Sequence, residues 1–464
     1  MTGAWQSSIA ACVSAVRQRE ISVREIADES IEALERVDAT IKAFTSVDRE
    51  LVAHDAAILD QRVASGDEVG SLVGVVLGVK DVFDVAGLPT SASSPTFEPY
   101  VASQDSAAVA RLRQAGALVL GKTRTSELAW VIPTPPTVNP ADNRLISGGS
   151  SGGSAAAVGG GLVHAALGND VGGSIRIPAA LCGVAGIKPT YGVVSMAGVL
   201  PGAGSFDTGG PLARSISDLR AVLHELVGRD HNYAGSATAA QVAPLRAGLE
   251  RPRRVQLASV RLGVLSHPVF EVIDPRARAH HDRVLARIED AGADIVTLTL
   301  PEADLVEPAF WTLAPSEGAA LHTEKLRSAP AELSEETRRI LHFAHAIPAV
   351  LAVRAQQARR QLIAAVARVF EEFEIDALLA PGTTAPAIPV DELDTSFQRQ
   401  DGGRESALWS YGRVFWLANL TGQPSVVIPT ADSPPPLAVQ LIGRPFRDDA
   451  LLNVAEAIEE LLPL

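Results

Sequence analysis

Between Ser147 and Pro189 the chain carries two Gly–Ser clusters, Gly148-Gly149-Ser150-Ser151-Gly152-Gly153 and Gly172-Gly173-Ser174, separated by a helix-length stretch. Upstream, Lys80 ends the apolar run Val73–Val79. Hydroxyls, an amine and glycine-rich turns are the parts needed to split an amide-type C–N bond. One serine attacks, a second relays protons, the lysine acts as base and backbone N–H groups hold the oxyanion.

Each part also has a plain structural reading. Gly172-Gly173-Ser174 follows Asp170-Val171 and reads alone as a turn before a strand, although consecutive glycines let N–H groups approach a ligand oxygen closely. The loop around Ser150 reads alone as a flexible linker. Ala155-Ala-Ala-Val158 follows it directly, however, and a loop that opens a helix can offer N–H groups and an inward hydroxyl. The loop is not a P-loop, since the G-x-x-x-x-G-K-[ST] lysine is missing. G-x-S-x-G fits twice, centred on Ser150 and on Ser151, but the polar, proline-containing Asn139–Arg144 is a poor strand for a nucleophile elbow. Lys80 could simply reach solvent. Buried, it would lose basicity, and a neutral amine can take a proton from a serine.

The elements that must hold these parts alternate between strand and helix. Helical spacing marks 22–44, 49–64, 105–115, 275–291 and 352–373. Buried strands are expected at 73–79, 117–121, 261–265, 295–300, 376–381, 425–429 and 437–443, so the pattern is α/β with a largely parallel sheet. Residues 229–259 read as a long surface connection. The least regular part is 302–350, with exposed-looking Phe310, Trp311 and Phe343. No repeat or sharp boundary divides the chain, so one domain over 1–464 is expected.

Composition removes several function classes. A net charge of −14 disfavours a nucleic-acid partner, and Arg251-Pro-Arg-Arg254 reads as a solvated linker. The two cysteines, Cys12 and Cys182, have no metal-ligand spacing, which predicts no disulfide, no metal and a reducing cytoplasmic setting. Residues 1–20 read as an amphipathic helix without the layout of a signal peptide. No uninterrupted apolar run of about 18 residues exists to cross a membrane.

Taken together, the pieces resemble the amidase signature family. The matching segments are Gly78-Val79-Lys80-Asp81, Gly121-Lys122-Thr123, Gly148-Gly-Ser-Ser-Gly-Gly-Ser154, Asp170-Val-Gly-Gly-Ser-Ile-Arg-Ile-Pro178 and Gly186-Ile-Lys-Pro-Thr-Tyr-Gly192. Further matches are Phe206-Asp-Thr-Gly-Gly-Pro211, Leu379-Ala-Pro381, Ala418-Asn-Leu-Thr-Gly422 and Gln440-Leu-Ile-Gly-Arg-Pro-Phe446. The resemblance covers nearly the whole chain. It is densest over a signature core at 70–220 and weakest over 229–350, a variable substrate-side region.

The resemblance implies a single α/β/α domain with a mixed, twisted sheet of about eleven strands flanked by helices. It also implies a Ser–cisSer–Lys triad: Ser174 as acyl nucleophile, Ser150 as relay and Lys80 as base, with a cis Gly149–Ser150 peptide. The N–H groups of Val171, Gly172, Gly173 and Ser174 would form the oxyanion hole, and no cofactor is implied. Asn169 and Val171 depart from the family pattern, and Val171 should make the site floor more apolar. Asp170 and Arg176 are expected to brace the nucleophile turn as an ion pair, and Asp207 to be structural.

Substrate walls are expected at Trp130, Tyr191 and Trp311, with Ile132, Pro133, Phe310, Trp409, Phe415 and Trp416 as further candidates. They predict a neutral, apolar or aryl amide, anilide or carbamate as substrate, cleaved by a monomer or homodimer without a membrane partner. The alternative is the glutamine-hydrolysing component of a tRNA-dependent amidotransferase, its A subunit.

Overall fold

Runs rich in valine, leucine and alanine, buried on both faces, supply the strands of one mixed sheet. The computed structural model describes residues 8–97, 100–399, 402–430 and 435–462. The strands of the first half are β1 (Phe44–Ser46), β2 (Val76–Lys80), β3 (Leu118–Thr123), β4 (Ala165–Asp170), β5 (Ala185–Lys188) and β6 (Thr208–Ala213). Those of the second half are β7 (Arg261–Leu265), β8 (Asp294–Leu298), β9 (Ala377–Pro381), β10 (Ser396–Gln398), β11 (Arg404–Ser406), β12 (Ser425–Thr430) and β13 (Leu437–Ile442). Eleven of them form one sheet in the order β1-β3-β2-β4-β6-β5-β12-β13-β9-β7-β8, while β10 and β11 make a separate hairpin.

Helices flank this sheet in a single α/β domain, as the resemblance implied. β2 runs parallel to both β3 and β4, so Lys80, Thr123 and Asp170 arrive together at the C-terminal edge of three neighbouring strands. That edge is where open α/β sheets place their ligands. The junction between β5 and β12 joins the first half of the chain to the last.

Several helices start where the sequence predicts. Ser22 and Glu25 close a capping box on Val23–Ile41, and Asp48 caps Arg49–Ser65. Ile9–Arg17 is helical and buries Ile9, Cys12 and Val16; the first seven residues of the expected N-terminal helix lie outside the described residues.

The sheet is antiparallel from β4 across to β9 where a largely parallel one was expected, and two stretches of chain also differ from expectation. The connection at 229–259 contains the helix Ala239–Glu250, capped by Thr238 and Gln241 and docked through Val242, Leu245 and Leu249. Residues 302–350, expected to be irregular, are mostly helical: Val306–Ser328 spans 23 residues and Glu335–His345 follows. Pro244 and Pro315 sit inside two of these helices, and proline breaks the pattern by which a helix is recognised. Of the three aromatics, Phe310 is buried, Trp311 half-buried and Phe343 exposed.

Candidate active site

Lys80 closes β2 with its side chain fully buried. Its Nζ donates to Ser150 Oγ at 2.6 Å and Ser151 Oγ at 2.9 Å, and lies 3.4 Å from the Asn169 carbonyl oxygen. Burial pulls this amine down to about 7, while the Asp170 and Asp207 carboxylates act in the opposite direction from farther away. The Gly149–Ser150 peptide is cis. Ser151 N–H donates to the Ser174 carbonyl at 3.1 Å, which ties the two Gly–Ser loops together.

The turn that carries Ser174 is built on Asp170. Its carboxylate accepts from Gly173 N–H (2.8 Å), Ile175 N–H (3.1 Å), the Arg176 guanidinium (2.9 and 3.0 Å) and Asn419 Nδ2 (2.8 Å). Burial alone would raise its pKa, but Arg176, Asn419 and Lys188 outweigh that and hold it well below the usual carboxylate range. Arg176 is itself held by Asn419 Oδ1 at 2.6 Å, by Gln440 Oε1 at 3.0 Å and by the Phe415 ring beneath it. The expected Asp170–Arg176 ion pair is therefore present as a brace. Gly173 has φ +114°, a backbone that disfavours any side chain.

Among the N–H groups expected to face an oxyanion, that of Gly173 donates to Asp170 Oδ1, while no hydrogen bond from Val171, Gly172 or Ser174 N–H is seen among the described residues. Asp207, expected to be structural, accepts from Asn169 Nδ2 and from the N–H groups of Gly202 and Ala203. Burial raises its carboxyl to about 6.

Ser174, Val171 and Gly172 open onto a cavity of about 990 Å³. Trp130, Ile132, Pro133, Phe310, Trp311, Trp409 and Trp416 line it. Phe310 stacks on Trp416 with centroids 4.8 Å apart, and Trp311 meets Trp416 edge-on at 5.7 Å. Trp130 lies so close to the Val306–Ser328 helix that a Cβ on Gly318 would fall 1.9 Å from its ring. Around the cavity stand Glu127, Glu332, Glu336 and Asp394, with one cation, Arg339, ion-paired to Glu335.

Two of the three expected substrate contacts, Trp130 and Trp311, line this cavity, and Tyr191 does not. The chain turns away after β5, and the Tyr191 hydroxyl lies 3.4 Å from both the Gly204 carbonyl and the Tyr233 hydroxyl. Phe415 supports Arg176 and is not a wall. Sequence reasoning missed the contact of Ser151 with Lys80, although the second G-x-S-x-G frame was its signal. It also missed Thr125 and Ser126, two buried residues that line the cavity. Among the described residues, no group of three His, Cys, Asp or Glu could hold a metal ion, and no helix is long and apolar enough to cross a membrane.

The Amidase family profile matches residues 25–452. The chain is 33% identical to an amidase of Pseudomonas putida over 465 residues, covering 99% of this chain and 97% of that protein. It is 32% identical to the A subunit of the Glutamyl-tRNA(Gln) amidotransferase from Chromohalobacter salexigens over 478 residues, covering 96% and 94%. A solved structure described as an unexpected vestigial protein complex, revealing the evolutionary origins of an s-triazine catabolic enzyme, superposes with TM-score 0.88 at 30% identity over 98% of both chains. A lysine between two Gly–Ser loops, on an eleven-stranded sheet that these relatives share over nearly their full length, has one consistent account: the chain belongs to the amidase signature family and is a hydrolase of amide C–N bonds.

Proposed function

We propose that this enzyme hydrolyses small, neutral amides bearing an apolar or aryl acyl group, through an acyl intermediate on Ser174. The observation that carries the reading is Lys80, buried without a carboxylate in contact and hydrogen-bonded to Ser150 at 2.6 Å. An amine so placed is about half neutral near pH 7 and can act as a base. Lys80 draws a proton through Ser150 from Ser174, and Ser174 Oγ attacks the carbonyl carbon. The N–H groups of Val171, Gly172 and Ser174 take up the oxyanion charge. Lys80 then returns the proton through Ser150 to the nitrogen, the C–N bond breaks, and water releases the acyl group by the same route. Carbamates and esters present the same carbonyl and fall within this chemistry.

The aromatic walls support an apolar acyl group. Relatives named as components of a Glutamyl-tRNA(Gln) amidotransferase favour glutamine as a second reading. The cavity edge speaks against it: an α-carboxylate would meet four carboxylates and a guanidinium already paired with Glu335. The test is hydrolysis by the purified chain of an aryl anilide, an aryl carbamate, a short aliphatic amide and glutamine, with Ser174→Ala as control. Aryl turnover that the substitution abolishes supports the proposal. Activity on glutamine alone, or only after a partner protein is added, overturns it.

A further inference from the structure

Beside the catalytic cavity lies a second cleft of about 380 Å³. Pro268, Val269, Val272 and Pro308 supply its apolar part, and the ion-paired Glu405 and Arg413 also line it. Among the described residues, Trp311 alone lines both spaces. The chain changes sides around it. Glu405 lines the cleft and Ser406 the cavity, while Gly412 lines the cavity and Arg413 the cleft. On the helix Val306–Ser328, Pro308 lines the cleft and Phe310 the cavity. The half-buried indole of Trp311 is therefore a partition. Cavity-side rings hold it, with centroids at 5.9 Å for Phe310, 5.7 Å for Trp416 and 6.2 Å for Trp409.

The direction of a bound substrate follows from the proton route. The nitrogen must face Ser150, which is proposed to return its proton. That side of the cavity is walled by the segment after Trp130: a Cβ on Gly149 would fall 2.1 Å from the Ile132 carbonyl oxygen. The acyl group extends the opposite way, past Gly172. There the Phe310 ring occupies the space of a side chain, since a Cβ on Gly172 would fall 2.4 Å from it. Trp311 comes next after Phe310, and the second cleft lies behind it.

We infer that Trp311 closes the acyl end of the catalytic cavity and sets the longest acyl group that the enzyme accepts. This rests on the amidase reading above and narrows it to amides whose acyl group ends at the indole. A longer chain would have to displace a ring held by three others, and packed walls yield little. A smaller side chain at this position joins the two spaces. The acyl chain then runs on between Val269, Val272 and Pro308.

The experiment measures kcat/KM for the para-nitroanilides of acetic, butyric, hexanoic, octanoic and decanoic acid. The proteins are the wild type, Trp311→Phe, Trp311→Ala and the double variant Trp311→Ala, Glu307→Trp. In the wild type, kcat/KM should rise with length and then drop by roughly tenfold or more between two successive acids. Trp311→Ala should move the drop to longer chains and raise turnover of the first excluded anilide by roughly tenfold or more. Trp311→Phe keeps a ring and should move the drop less; it carries the test if the alanine variant does not fold. Glu307 is exposed and lines the cleft one helical turn before Trp311, so an indole there should refill the cleft and restore the wild-type limit. A drop at the same length in every protein overturns the inference, as does a wild type that accepts every length or a loss by Trp311→Ala that is equal for all chains. Those results leave the amidase reading standing, because anilides are still cleaved. If the wild type cleaves none of the five, that reading falls and the inference with it.

Discussion

Lys80 and Lys122 sit at the ends of neighbouring parallel strands, and neither exposes any surface to solvent. Their surroundings differ completely. Lys122 Nζ lies 3.0 Å from Asp81 Oδ1 and also donates to Thr90 Oγ1 at 2.9 Å and the Pro89 carbonyl at 3.0 Å. Lys80 meets two serine hydroxyls and one distant carbonyl. Burial lowers the basicity of both, but at Lys122 the touching carboxylate works against it. The pleat explains the division. Lys122 is in register with Val79, and Lys80 with Thr123, so the two amines point to opposite faces of the sheet. Asp81 directly follows Lys80 in sequence, and the same alternation sends its carboxylate to the other lysine. One face thus keeps a charge pair as a brace, and the other keeps an amine with no carboxylate in contact.

The largest expected effect is that of Lys80→Met. Turnover of an aryl amide should fall by roughly 10³- to 10⁴-fold, while the melting temperature holds or rises, because an unpaired buried amine is replaced by an apolar chain. A loss of stability comparable to that of the Lys122 substitution would erase the contrast. Lys122→Met should do the reverse. It strands Asp81 as a buried charge and should cost about 3–5 kcal/mol in urea unfolding, with kcat of the folded fraction kept. Next comes pH. Only the neutral Lys80 amine is a base, so kcat/KM should fall about tenfold per unit below pH 7 and level off above it. A profile flat from pH 5 to 8 would remove Lys80 from the role of base. The smallest effect belongs to Asp207→Asn. Asp207 helps keep Lys80 protonated, so its neutralisation should move the midpoint of that profile to lower pH, by less than about one unit.

What could be read in advance divides along the same physical line. Lys80, the strand it ends and the two Gly–Ser loops are local patterns: an apolar run long enough for a strand, and glycines where side chains would obstruct; β4, which leads to Ser174, was not among the expected strands. The Val306–Ser328 helix was illegible because Pro308, Pro315 and Gly318 interrupt its pattern, and its course is set by packing. Gly318, for example, yields its space to Trp130. Tyr191 was misplaced because a residue type does not reveal which way a turn points it. The engagement of Gly173 N–H by Asp170 was beyond reach too, since a backbone donor leaves no mark in a sequence.

The brace under Ser174 also has a consequence for the order in which the protein is made. Lys80, Ser150 and Ser174 are all encoded in the first two-fifths of the chain, but Arg176 is clamped by Asn419 and Gln440. A ribosome that has exposed every proposed catalytic group has not yet supplied the residues that hold the nucleophile turn in place. Synthesis proceeds from the N-terminus, so an unfinished chain carries the reagents without the clamp. Activity should then arrive late and all at once, when β12 and β13 emerge and close the centre of the sheet.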